Sequence, residues 1–332
     1  MMRRYGLTLL LWFLALGLAG WTLSKLPLNA IATQVGALGA EDWSVWMLLN
    51  VAILSIAVKR WQVLGQALRT PLSFALLFRL RQAGSAVSFL TPGPHFGGEP
   101  LQLYWLNRDA ATPMHRAIAM LGMDRFMETA TNIAVLLGGV LILLGTALVP
   151  TREWLQVLAI LGGVLALMLV SVAVVLRHPD WLAQRFQPLT RRWQTDRNQG
   201  AWQALVRLLR EAMAQHKSRL WWALLLSLLG WAALLLELVM LLRLLGVSPS
   251  LMDVVLIMVS MRLAMLLPVP GGIGTIEASL LWSFQLLGIP ISVAVGLIAL
   301  IRLRDATVLL IGLACLWSFQ RPGLTAERVS AE

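Results

Sequence analysis

Apolar runs of roughly membrane-crossing length recur along this chain: Tyr5–Leu23, Trp43–Val58, Thr129–Val149, Trp154–Leu176, Leu220–Leu242 and Leu251–Leu267. A run of about 20 apolar residues is what an α-helix needs to cross a hydrocarbon core of about 30 Å. Inside that core every backbone N–H and C=O must be satisfied by the segment itself, which selects helices. Only 13% of the 332 residues are charged, against about 25% in a soluble domain. A soluble enzyme, a disordered chain and a secreted disulfide scaffold are excluded. The expectation is an all-α polytopic integral membrane protein of about six to eight transmembrane helices, with Trp21, Trp43, Trp154, Trp221 and Trp222 near span ends as interfacial anchors.

The net charge of +11 is then read as cytoplasmic loops facing anionic headgroups, not as a nucleic-acid surface. Arg3 and Arg4 precede the first run, Lys59 and Arg60 follow the second, and 177–219 holds the largest basic cluster. Two spans separate successive basic segments, so all three fall on one side, the cytoplasm of a bacterial inner membrane. The Arg3-Arg4 start resembles a secretory signal; it reads as an uncleaved first helix. The domains expected are a first half over 1–176, a basic loop over 177–219, a second half over 220–320 and a tail over 321–332. Within the loop, Trp202, Leu205, Val206, Leu209 and Met213 recur at helical spacing beside Arg207 and Arg210. That is an amphipathic helix, lying on the inner leaflet or packed against the spans.

Two segments carry a matched pattern. Pro92-Gly93-Pro94-His95-Phe96-Gly97-Gly98-Glu99 and Pro270-Gly271-Gly272-Ile273-Gly274-Thr275-Ile276-Glu277 both place a glutamate seven residues after the proline of a Pro-Gly pair. Farther on, Arg125 precedes Glu128 and Arg302 precedes Asp305 by three residues, one helical face in each case. Pro71–Leu90 (with Arg79 and Arg81), Thr91–Leu106 and Pro268–Leu287 are the less orthodox apolar stretches, and Ile289–Phe319 fits one long span or two short ones. Paired Gly/Pro-interrupted segments in corresponding halves point to a transporter's binding site. The expectation is therefore two re-entrant or broken-helix segments in an internal repeat. A half-helix starting near Pro100 and another near Thr275 would aim N–H groups at an anion.

An ionised group at the bilayer centre costs about 2.5–3.5 kcal/mol on insertion scales, so it pairs or faces a cavity. For Glu99 and Glu277 three roles are open: helix capping, joining the two halves, or handling a ligand or proton. Arg125 and Arg302 either neutralise Glu128 and Asp305 or bind a headgroup phosphate. Glu237 is either the partner of Arg262 or a site residue. Cys315 is alone and the four histidines lack metal-ligand spacing, so no metal, no cofactor and no catalytic constellation is expected.

Ser88-Phe-Leu-Thr-Pro-Gly-Pro-His-Phe-Gly-Gly-Glu-Pro100, and Leu266-Leu-Pro-Val-Pro-Gly-Gly-Ile-Gly-Thr-Ile-Glu277 with Arg302, resemble the paired signatures of the lysylphosphatidylglycerol synthase transmembrane (flippase-like) family. In fused members this membrane region is associated with moving aminoacylated phosphatidylglycerol between leaflets, while a soluble domain makes the lipid. The resemblance implies the translocation half alone. The expected function is a lipid translocase for an anionic, aminoacylated or prenyl-type lipid, with a polar cavity between two repeat halves. Its expected lining is Pro92, Gly93, Gly97, Gly98, Glu99, Arg125, Glu237, Arg262, Pro270, Gly271, Gly272, Gly274, Glu277 and Arg302. No GxxxxGK[ST] element occurs in the sequence, so movement is expected to be downhill or ion-driven. The rival readings are an enzyme modifying a lipid-linked headgroup and a scaffold for a lipid-synthesis partner. Partners expected are membrane lipids, with no nucleic acid; the oligomeric state is open.

Overall fold

The computed structural model describes residues 36, 38–90, 97–146, 151–178, 181, 196–267 and 269–320. The first run, Tyr5–Leu23, the residues Pro92 and Gly93, most of 177–195 and the tail 321–332 lie outside them. Ten α-helices and one 3-10 turn, Pro270–Gly272, appear among the described residues. In chain order the helices are α1 (Ala40–Ala67), α2 (Phe74–Leu90), α3 (Glu99–Arg108), α4 (Met114–Leu144), α5 (Thr151–Arg177), α6 (Asp196–Gln215), α7 (Lys217–Leu244), α8 (Leu251–Ala264), α9 (Thr275–Leu286) and α10 (Ile291–Gln320). The protein is an all-α, multi-pass membrane protein. Four of the described helices, α1, α4, α5 and α7, are long and apolar enough to cross a bilayer.

One expected span takes another form. Leu251–Leu267 is helical only to Ala264; its 14 residues rise about 21 Å, short of a hydrocarbon core. A Ser250–Asp253 capping box starts it, with Ser250 Oγ accepting the Asp253 N–H and Asp253 Oδ2 accepting the Ser250 N–H. It ends in a C-cap at Met265, followed by turn hydrogen bonds from Leu266 and Leu267 to Leu263 and Ala264. Of the alternatives for Ile289–Phe319, the single long helix is the one found: Ile291–Gln320 is continuous over 30 residues despite its three central charges.

The chain packs as two compact units. One comprises 56–74 and 103–230; the other comprises the described parts of 1–55, 75–102 and 231–332. These units group the chain differently from a simple division at 176 and 220.

In the unit built from 56–74 and 103–230, α4 packs on α5, and α6 lies against both. Of the two roles open for the amphipathic segment, α6 takes the packed one, burying Val206 and Ala212. Helix C-termini leave four carbonyls without intrahelical partners, and here arginines from other segments reach them. Arg210 donates to the Leu176 carbonyl at the end of α5, and Arg219 to the Gln66 carbonyl near the end of α1. The side chains of α5 are almost all outward, with only Trp154 and Leu161 buried. Its outward apolar side chains are suited to contact with lipid.

In the other unit, α8 packs on α9 and α9 on α10. Ser260 of α8 and Ser283 of α9 meet Oγ to Oγ at 2.5 Å, both buried. Close backbone approach sets the rest. Gly98 sits against the backbone of Gly84 in α2, and Gly312 of α10 against the Gln82 carbonyl and Ala86. A Cβ on Gly98 would overlap main-chain atoms, which have no rotamer to escape into. Gly98→Ala is therefore expected to destabilise by about 1–3 kcal/mol or more through overpacking. Gly122→Ala, at a helical site with open space, is expected to leave stability unchanged or raise it by up to about 1 kcal/mol. Thermal unfolding in detergent checks this pair. Equal losses in both variants would contradict the packing account.

Candidate functional site

The Pro-Gly-Gly turn is the element from which the site is built. Gly271 and Gly272 adopt φ of 59° and 61°, and Gly274 adopts 86°. This is the left-handed region that glycine enters without a Cβ penalty. The turn points two successive carbonyls, of Gly271 and Gly272, toward α10. Arg302 on α10 meets them. Its Nε donates to Glu277 Oε1 at 2.7 Å. Its Nη1 donates to the Gly271 carbonyl and to Asp305 Oδ2, each at 3.0 Å. Its Nη2 donates to the Gly272 carbonyl at 3.2 Å and stands 2.6 Å from Glu277 Oε1. All three guanidinium nitrogens are thus engaged by protein, and the side chain is only 9% exposed.

Glu277 has two tasks. Its second oxygen accepts the Gly274 N–H at 2.7 Å, capping the start of α9, while its first holds Arg302. Of its three open roles, capping is the one seen here; its cation, Arg302, belongs to the same half of the chain. The loop before α3 uses its acid in the same way. Glu99 Oε2 accepts the Gly97 N–H at 2.8 Å, and the Gly98 N–H is donated to Ser88 Oγ at 2.9 Å. The helices begin at Glu99 and Thr275, beside the expected starts near Pro100 and Thr275. The Phe89 ring, near the end of α2, lies over Gly271, so the end of α2 and the Pro-Gly-Gly turn adjoin.

From Asp305 the polar contacts continue to Arg304, whose Nη2 lies 3.8 Å from Asp305 Oδ1. Arg304 Nη1 donates to Glu237 Oε2 at 2.7 Å. Glu237, on α7 and only 2% exposed, accepts at its other oxygen from Trp46 Nε1 and Asn50 Nδ2 of α1, each at 3.0 Å. The expectation that Glu237 pairs with Arg262 is corrected: its cation is Arg304. Arg262 instead stacks on the Trp231 ring, 4.7 Å from the centroid, with Nη1 3.8 Å from Met265 Sδ. A cavity of about 30 Å³ lies among α7, α8 and α10, with Glu237, Arg262 and Arg304 as its charged lining and Trp231, Met258 and Met261 among its walls.

Arg125 belongs to a separate cluster in the other unit. Arg125 Nη1 is 3.1 Å from Glu128 Oε2 in its own helix, as the spacing implied. Arg60 adds a second cation, at 2.8 Å from Asp124 and 3.0 Å from Glu128. Arg60 lies inside α1 and is buried, so it is an ion-pair residue in place of the loop marker expected. In these contacts each carboxylate faces a guanidinium. Pro270 sits in the 3-10 turn. Trp46, Asn50, Asp124 and Arg304 were absent from the expected lining; Trp46 and Asn50, four residues apart, share one face of an otherwise apolar run.

The chain matches the family described as lysylphosphatidylglycerol synthase TM region over residues 6–312, and it belongs to that family. It is similar to a protein of Methanothermobacter thermautotrophicus described as a UPF0104 membrane protein, at 23% identity over 275 residues, which covers 77% of this chain and 79% of the relative. No solved structure matches it.

The geometry assigns Arg302 to holding the turn, which gives a graded expectation. Arg302→Ala leaves Glu277 and two loop carbonyls without their donor, and is expected to cost about 3–5 kcal/mol, as when one partner of a buried pair is removed. Arg302→Lys offers three donors from a point charge in place of a planar fork, and is expected to recover only part of the loss. Unfolding curves of the three proteins in one detergent check this order. A fully stable alanine variant would show that the turn does not depend on Arg302.

Proposed function

We propose that this membrane protein moves an anionic, aminoacylated or prenyl-type lipid between leaflets, the headgroup passing through the cavity among α7, α8 and α10, with its three charged residues, while the acyl chains stay in the bilayer. The observation that carries this reading is the continuous series Glu277–Arg302–Asp305–Arg304–Glu237, which runs from the Pro-Gly-Gly turn to the cavity wall. Ionised groups at membrane depth are costly and mark ligand or ion pathways. Irregular backbone at that depth is tolerated where it is buried in protein or lines a watery cavity, a condition that fits the short α8, the turn and the short α9 as a re-entrant hairpin.

As it stands the cavity has room for about two waters at 10–15 Å³ each, so a passing headgroup must part its walls. Met258 and Met261, unbranched and adaptable, are the walls best suited to yield. The reading is of a transporter and not an enzyme: the network neutralises and positions, and its acids are held by guanidinium or backbone N–H groups. The basic 177–219 segment supports placing it on the cytoplasmic side of a bacterial inner membrane by the positive-inside rule.

Reconstitution tests the reading. Liposomes containing fluorescent phosphatidylglycerol or a fluorescent prenyl phosphate are treated with an impermeant quencher, and the protected inner-leaflet fraction is followed. The protein is expected to speed its loss over protein-free liposomes, and Glu237→Gln combined with Arg304→Gln is expected to slow that exchange. Rates equal to protein-free liposomes for both lipid classes would refute translocation, and a chemically altered headgroup without exchange would favour an enzyme.

A further inference from the structure

The end of α1 gathers three arginines from three separate segments. The helix closes through the Thr70 N–H on the Gly65 carbonyl and the Arg69 N–H on the Gln66 carbonyl. In that closure position 69 is left-handed, a place that glycine usually fills. Here it is an arginine, with φ of 53°. Arg116, in the first turn of α4, donates through Nη1 to the Arg69 carbonyl at 3.1 Å. Arg219, in the first turn of α7, donates through Nη1 to the Gln66 carbonyl. The Arg69 side chain donates to Gln215 Oε1 at 3.0 Å, and its carboxylate neighbour is Glu211 at 4.0 Å. Among the described residues neither Arg116 nor Arg219 meets a carboxylate, and each keeps Nε and Nη2 without a protein acceptor.

α1, α4 and α7 are all long and apolar enough to cross a bilayer. The cluster joins the end of the first to the starts of the other two, so it stands at a membrane boundary. Trp221 and Trp222, just beyond Arg219, are exposed, as aromatic residues are at headgroup depth. The positive dipole ends of α4 and α7 lie at the same place. Three guanidinium groups against one carboxylate leave two positive charges. From this we infer that Arg69, Arg116 and Arg219 form a binding site for the phosphate of a lipid headgroup in the leaflet on that side. Their edges suit bidentate contact with phosphate oxygens. Two positive charges match a phosphomonoester, which carries about −1.5 to −2 at pH 7, better than a singly charged phosphodiester. The site belongs to the unit built from 56–74 and 103–230, whereas the cavity is lined by residues from 231 onward. It goes beyond the translocation reading and does not depend on it.

The probe is short-chain phosphatidic acid titrated into the purified full chain in neutral detergent. Phosphatidylglycerol and diacylglycerol of the same chain length, and inorganic phosphate, are run beside it. Phosphatidic acid is expected to bind most tightly, phosphatidylglycerol more weakly, and diacylglycerol not at all. Arg69→Gly removes a guanidinium while supplying the residue that the left-handed position favours. Its thermal stability is therefore expected to be unchanged or higher, which separates lost binding from lost folding. The same variant is expected to weaken phosphatidic acid binding about tenfold or more, as for loss of a charged hydrogen bond. Arg116→Gln keeps an amide donor for the Arg69 carbonyl and drops the charge, and is expected to weaken binding by a similar factor. Displacement of the probe by inorganic phosphate at similar concentration assigns the site to the free anion, and failure to displace assigns it to the lipid; either upholds the phosphate site. Unchanged binding in a stable Arg69→Gly protein overturns it, whatever Arg116→Gln shows, and so does equal binding of diacylglycerol. Phosphatidylglycerol binding as tightly as phosphatidic acid overturns the assignment to a phosphomonoester. Binding that weakens as expected in a protein that fails to exchange lipid between leaflets would uphold this site and refute translocation.

Discussion

The Arg302 guanidinium binds a turn, a helix start and its own helix at once, and much of the unit around it follows from that. The turn can offer two adjacent carbonyls to one cation only because residues 271 and 272 take left-handed φ. That geometry needs glycine. The acid that completes the cage, Glu277, simultaneously caps α9. A single cation therefore satisfies several groups that would be costly to bury without a partner.

Helical spacing then divides labour along α10. Residues two apart point to nearly opposite sides of a helix, so Arg302 faces the turn while Arg304 faces α7. Asp305, three residues after one and adjacent to the other, contacts both. The result places a fully engaged cation next to an incompletely engaged one, the first for structure and the second beside a cavity. The Arg60–Asp124–Glu128–Arg125 cluster meets the same solvation problem by pairing cations with carboxylates, and Asp124 is 1% exposed. Buried charges of this kind survive because each is paired and hydrogen-bonded.

Much of this was legible in the sequence, in physical terms. Length and apolarity made α1, α4, α5 and α7 readable, since nothing in a soluble fold needs such runs. The Pro-Gly-Gly spacing located the turn, and the three-residue Arg-to-acid spacing located both intrahelical pairs, because these are local rules. What escaped was non-local. Glu237 could be seen to need a cation, but choosing between Arg262 and Arg304 depends on which face α10 turns toward α7, and no local pattern encodes that. Asn50 was legible as a polar residue in an apolar run, yet its partner lies 187 positions away. Arg60 looked like a loop residue because charge was taken to end the second run; Asp124 lets the helix continue to Ala67. Leu251–Leu267 looked like a span because hydropathy does not reveal where a turn diverts the chain.

The central claim, that a lipid headgroup occupies the cavity of α7, α8 and α10, is tested most directly by covalent mapping. Protein in lipid nanodiscs carrying phosphatidylglycerol with a photoreactive headgroup would be irradiated, digested and sequenced by mass spectrometry. Adducts concentrated in 231–241 and 258–265 are predicted. Adducts confined to the outward faces of α5 or to α6, with those two segments unlabelled, would contradict the account.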